Sequence, residues 1–174
     1  MSAAPRFRVL SGVGGKMPAC FLVETGGARI LLDIGKGPGQ GAVPDIRGLP
    51  PLDALILSHA HPDHAGSISL LAAAPPAEIW ATGPVWDEIG PALSFDAARR
   101  ILPLRGAAEV AGIPLRTGRS GHAPGGVWLH LAAGGGLLYL GDIDPESRFY
   151  AYDPPEPAGT VVLDASYGPW DRPV

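Results

Sequence analysis

The chain has 174 residues, 46% of them hydrophobic, and a formal net charge of -4; this is enough for one domain with a buried core and too little for two. The acidic balance excludes a broad basic footprint, so contact with nucleic acid is expected to be weak and confined to a site. One cysteine, Cys20, excludes an intrachain disulfide and a thiolate metal cluster, and without a run of about 18 apolar residues or an apolar segment near Met1, a cytoplasmic protein with no membrane partner is expected.

In chain order, strands are predicted over 6–10, 20–24 and 28–33, with Thr25-Gly26-Gly27 as the tight turn between the second and third. The glycine-rich Gly12-Val13-Gly14-Gly15 enters a strand and lacks the Lys-Ser/Thr of a nucleotide loop, so it is expected to be a flexible connection. Cys20, within Ala19-Cys20-Phe21-Leu22-Val23, is expected to be a small buried apolar residue. Residues 35–51, rich in glycine and proline, are predicted to be a long irregular loop open to substrate contact.

An apolar run over 52–57 leads into Ser58-His59-Ala60-His61-Pro62-Asp63-His64-Ala65-Gly66. Composition then predicts a helix over 65–74 stopped by Pro75-Pro76, a strand over 78–82 and a helix around 96–102. From residue 107 the pattern changes to short strands at 109–111, 114–117, 127–132 and 137–140, with Gly134-Gly135-Gly136 turning between the last two. A second sheet is therefore expected in the C-terminal half. Periodicity alone gives a mixed α and β domain.

The loop over 58–66 carries four metal-capable side chains within six residues, and three of the chain's five histidines. Imidazoles with a carboxylate suit a borderline divalent ion such as zinc, and a loop leaving a buried strand can turn several side chains onto one centre. His122 lies among small residues in Ser120-Gly121-His122-Ala123-Pro124, where an imidazole has little to pack against, and is a further ligand candidate. His130 alternates with leucines on a strand and is left outside the site. Asp144, before Pro145, reads as a turn residue.

His59-Ala60-His61-Pro62-Asp63-His64 after a hydrophobic strand resembles the HxHxDH signature of the metallo-β-lactamase fold superfamily of hydrolases. Ile30-Leu31-Leu32-Asp33-Ile34-Gly35 resembles its first aspartate motif, Gly121-His122 its third histidine, and Tyr139-Leu140-Gly141-Asp142 its bridging aspartate, all in the family's order. Val161-Val162-Leu163-Asp164-Ala165-Ser166-Tyr167-Gly168 resembles the acidic motif of the β-CASP nuclease branch, which includes ribonuclease J.

This resemblance implies a four-layer αββα sandwich, here one domain over 1–174 shortened at its C-terminal end and without the branch's inserted domain and final histidine. It implies two zinc sites, with Mn2+ or Fe as alternatives: His59, His61 and His122 at the first, Asp63 and His64 at a weaker second, and Asp142 bridging. Asp33 and Asp164 would support the ligands from behind. Asp63 would be the catalytic proton-transfer residue beside a hydroxide shared by the two ions. The implied substrate is a phosphodiester, as in a nuclease. A small-molecule thioester or lactam hydrolase and a non-catalytic metal-binding fragment are the alternatives.

Overall fold

A computed structural model describes residues 5–14, 17–38 and 42–165. The first sheet has the order β1 (Arg6–Ser11), β2 (Cys20–Thr25), β3 (Ala28–Leu32), β4 (Ala54–Ile56), β5 (Glu78–Ala81), β6 (Ala98–Ile101). Its first three strands are antiparallel and the rest run parallel to β3. The second sheet contains β7 (Gly106–Val110), β8 (Ile113–Arg119), β9 (Val127–Leu131), β10 (Leu137–Tyr139) and β11 (Thr160–Val162), with β11 parallel to β10 at one edge. The expectation of a mixed α and β fold with two sheets holds.

The layering follows from which strands bury both faces. Phe21, Val23, Ile30, Leu32 and Ile56 meet Leu115, Val127, Leu129, Leu131 and Tyr139 between the sheets. The alternate residues Cys20, Leu22, Leu31, Leu55 and Leu57 pack outward against Ile68, Leu71, Val85, Trp86 and Ile89. Strands buried on both faces must be apolar throughout, which explains why β2 to β4 read as unbroken hydrophobic runs. The outer face of the second sheet is different. Trp128, Leu138 and Leu140 are covered by Ile143 and Ala158 of the segment between β10 and β11, and no helix lies there among the described residues. Asp153 pins that segment: its carboxylate accepts from the backbone N–H and the guanidinium of Arg119, and its carbonyl accepts from Trp128 Nε1.

Two predicted helices need correction. In place of one helix over 65–74 there is a single turn, α1 (Pro62–Ala65), and a separate 3-10 helix (Ile68–Ala73). Tertiary bonds interrupt the helix: the Ser67 N–H donates to Ile34 O, and Asp63 O accepts from Ala19 N instead of a helical N–H. Residues 98–101, predicted helical, form the edge strand β6. The open edge of β5 offers them backbone partners, while Arg100 pairs with Glu78 and Arg99 lies over the ring of Trp86. The sequence reading also missed α2 (Gly83–Ile89), whose signals are Pro84 in its first turn and apolar residues at 85, 86 and 89.

The loop leaving β3 is tied into the histidine-rich loop and the start of β2 by backbone hydrogen bonds. Ile34 N donates to His64 O at 2.8 Å, Lys36 N to Pro62 O at 2.7 Å, and Gly35 N to Ala19 O at 2.9 Å. Gly35 sits so close to this turn that an added Cβ would overlap the carbonyl of Asp63. Gly35→Ala is therefore expected to cost about 2 kcal/mol or more, seen as a lowered midpoint in urea denaturation. Gly83→Ala is the matched control, since a methyl there meets no atom within 4 Å, and its stability should stay within about 0.5 kcal/mol of wild type.

Candidate metal centre

The site forms where the C-terminal ends of β3 and β4 meet the segments after β8 and β10. His59, His61 and His64 come from the loop after β4, His122 from the turn after β8, and Asp142 from the residues after β10. Every sequence-predicted ligand is brought into this cluster. Nε2 of His122 stands 3.1 Å from Nδ1 of His61 and 3.3 Å from an Asp142 carboxylate oxygen, and Nε2 of His64 lies 3.1 Å from the other. His59, His61, His122 and Asp142 form one set whose ligand atoms all lie within 4.8 Å of one another; Asp63, His64 and Asp142 form a second, sharing Asp142.

Behind the cluster stands Asp33, fully buried and held at φ +56°. Its carboxylate accepts from Ser58 N–H at 2.8 Å, Ser58 Oγ–H at 2.7 Å, His64 Nδ1–H at 2.7 Å and the Tyr139 hydroxyl at 2.5 Å. Because the Ser58 hydroxyl proton is committed to Asp33, its oxygen, 3.1 Å from His59 Nδ1, receives the proton of that ring. The tautomers follow. Nδ1 carries the proton in His59 and donates in His64, so both Nε2 atoms turn to the cluster. Nε2 of His59 is buried with no hydrogen-bond partner, a costly state for a polar atom unless a cation completes it. The donor set of imidazoles and carboxylates therefore fits a divalent metal.

Electrostatics agree with this tautomer assignment. Burial, then the nearby His64, depress His59 to about 3. Burial alone would also lower His64, but the carboxylates of Asp33 and Asp142 outweigh it and hold that imidazolium up to about 10. Burial pushes Asp142 upward and is overcome by its bond to His64, leaving it at about 2. Tyr139, sealed in and facing Asp33, is raised well above its ordinary range and stays a donor. Cys20 is pushed up to about 12, first by burial and then by Asp33, consistent with an inert apolar thiol.

A cavity of about 470 Å³ opens over the Asp63, His64 and Asp142 side. Its walls include Gly12, Val13, Gly14, Met17 and Phe21 on one flank and Leu163, Asp164 and Ala165 on the other. The segment after β1, expected to be only a connection, thus lines the site. Asp164 stands on the cavity wall, while Ser166, Tyr167 and Gly168 of the same motif lie outside the described residues. His130 is apart from the cluster, its Nε2 beside Gly136, and Asp144 is a turn residue that accepts from Glu146 N–H. Sequence reasoning missed Ser58 and Tyr139 as supports. Their signal was a hydroxyl on each of two otherwise apolar strand ends, which needs a buried partner.

Comparison with known proteins gives consistent results. A family model described as the metallo-beta-lactamase superfamily matches residues 13–172. Ribonuclease TTHA0252 of Thermus thermophilus is 30% identical over 182 residues, covering 89% of this chain and 42% of the relative. An RNase J-like protein of Methanocaldococcus jannaschii is 46% identical over 50 residues, 29% of this chain and 12% of that one. The chain spans less than half the length of these curated relatives. Among solved structures, the metallo-beta-lactamase fold protein YhfI from Bacillus subtilis superposes with a TM-score of 0.63 at 18% identity, covering 79% of this chain and 62% of that chain. No helix among the described residues is long and apolar enough to cross a membrane.

The two buried histidines make metal-free stability depend on pH in opposite senses. His59, depressed from 6.5 to about 3, contributes stability that is complete above 6.5 and lost as pH falls toward 3. His64, raised from 6.5 to about 10, contributes stability complete below 6.5 and lost as pH rises through 10. Denaturant midpoints of metal-free protein should therefore peak near pH 6.5. Asp33→Asn should flatten the alkaline limb of that curve.

Proposed function

The chain belongs to the metallo-beta-lactamase superfamily, and from that membership we propose that it is a zinc-dependent phosphodiesterase of the nuclease type. The observation that carries this reading is the pair of ligand sets joined through Asp142. His59, His61 and His122 would hold the first ion, Asp63 and His64 the second, with Asp142 shared. When bound, such ions supply Lewis acidity, lowering the pKa of water and neutralising charge on phosphoryl oxygens.

The protein's own groups supply orientation and proton transfer. Asp33 holds His64 through Nδ1 and His59 through the Ser58 hydroxyl, so neither ring can turn its Nε2 away. A carboxylate oxygen of Asp63, on the cavity wall, accepts the proton of the attacking water and returns it to the departing alkoxide. Asp164, on the same wall, supports the ligands from the β11 side and matches the acidic residue of the β-CASP branch. The likeness to Ribonuclease TTHA0252 over most of this chain adds weight to a phosphodiester substrate. Val13, Met17, Phe21 and Leu163 on the cavity wall favour a second reading, hydrolysis of a compact thioester or lactam with an apolar arm.

A side-by-side assay of zinc-loaded protein on an activated phosphodiester, a thioester and a β-lactam separates these readings. The phosphodiester should be cleaved fastest, and Asp63→Asn should lower its turnover by roughly 10²–10⁴-fold, the usual loss for a proton-transfer group. Faster thioester or lactam cleavage that also fails in the variant would transfer the assignment to the second reading. Zinc uptake should also release protons, because His64 must give up the Nε2 proton that Asp33 and Asp142 help it keep. Calorimetric titrations at pH 7 in two buffers of different ionisation enthalpy should give about one proton per second-site zinc.

A further inference from the structure

The cavity accounts for only one side of the cluster: Asp63, His64 and Asp142 line it, but His61 and His122 do not. A phosphodiester has two arms. On the His122 side stands the loop 144–152, which leaves the chain two residues after Asp142. Both feet of this loop rest on the residues just before His122. Asp144 N–H donates to Ser120 O at 2.9 Å, and Tyr152 forms a bridge with Ser120. Gly121, at φ +75°, packs so tightly between the feet that an added Cβ would overlap Asp144 O.

The loop is shaped by polar bonds, not by burial of its rings. Ser147 Oγ accepts from the N–H groups of Phe149 and Tyr150 at 3.4 and 3.2 Å. Phe149 is 91% exposed and Tyr150 42%. Arg148, exposed beside them, makes no ion pair among the described residues. Two exposed rings with a cation, on a loop whose feet adjoin His122 and Asp142, match in kind the stacking platform and backbone contact that hold single-stranded nucleic acid. A duplex would not present a free base face to them.

We propose that loop 144–152 is the recognition element for single-stranded nucleic acid, with Phe149 and Tyr150 stacking on a base flanking the scissile phosphate and Arg148 meeting the adjoining phosphate. This rests on the phosphodiesterase reading for its setting, yet binding tests it without turnover. The probes are a fluorescent hexa-adenylate, an abasic strand of equal length and methyl p-nitrophenyl phosphate, each with zinc-loaded full chain.

Wild type should bind the hexa-adenylate about tenfold more tightly than the abasic strand by fluorescence anisotropy. Phe149→Ala/Tyr150→Ala should erase that difference, and Phe149→Trp/Tyr150→Phe should restore it. In turnover, the ratio of kcat/KM for the oligonucleotide to that for methyl p-nitrophenyl phosphate should fall about tenfold in the alanine pair. Equal binding of adenylate and abasic strands by wild type, or an adenylate preference that survives in the alanine pair, overturns the proposal. If no diester is cleaved but the base preference appears and is lost in the alanine pair, the loop assignment stands and the hydrolytic reading falls.

Discussion

One carboxylate holds the centre of this molecule together. Asp33 is buried without exposure, in a left-handed backbone conformation that aspartate tolerates better than most residues. A buried carboxylate is expensive unless its oxygens are filled, and here Ser58 twice, His64 and Tyr139 fill them. These donors come from the ends of β4 and β10 and from α1, so the requirement of one side chain fixes both sheets and the histidine loop in a single register. Orientation of the metal-facing rings is a by-product of satisfying that charge.

The site was more legible in the sequence than the fold around it. His59, His61, Asp63 and His64 are crowded into one loop, and chemistry of that density has few packing explanations. His122 and Asp142 could be paired with that loop only through the family's motif order, since 58 and 78 residues separate them from His64. The helices failed where tertiary backbone bonds overruled composition: Ser67 N–H turns to Ile34 O, ending a run of good helix formers. Residues 98–101 went the other way, because a strand edge on β5 was open and local sequence carries no record of that. The glycines after β1 looked like slack. Their role as a cavity wall depends on β11, far along the chain, and nothing nearby announces it.

The two outer faces of the sandwich are built by different physics. Over the first sheet, helices bury Leu22, Leu31, Leu55 and Ile79 in an apolar layer that needs no particular polar contact. Over the second, a segment without a helix covers only a few side chains and relies on Asp153 gripping Arg119 and Trp128. The loop that flanks His122 grows from this second, more polar face, where small changes in backbone cost less.

The cavity wall joins Gly12, Val13, Gly14, Met17 and Phe21 to residues 162–165, and this has a kinetic consequence. Contacts between segments so distant in sequence carry a large loop-closure cost and form late. The histidine loop, by contrast, can take shape once β2 to β4 have paired. On this contact-order argument, His59, His61, Asp63 and His64 are expected to be drawn together before the cavity wall is complete. An ion captured at that stage would meet an open, solvated site, and the cleft would close around it only when β11 docks beside β10.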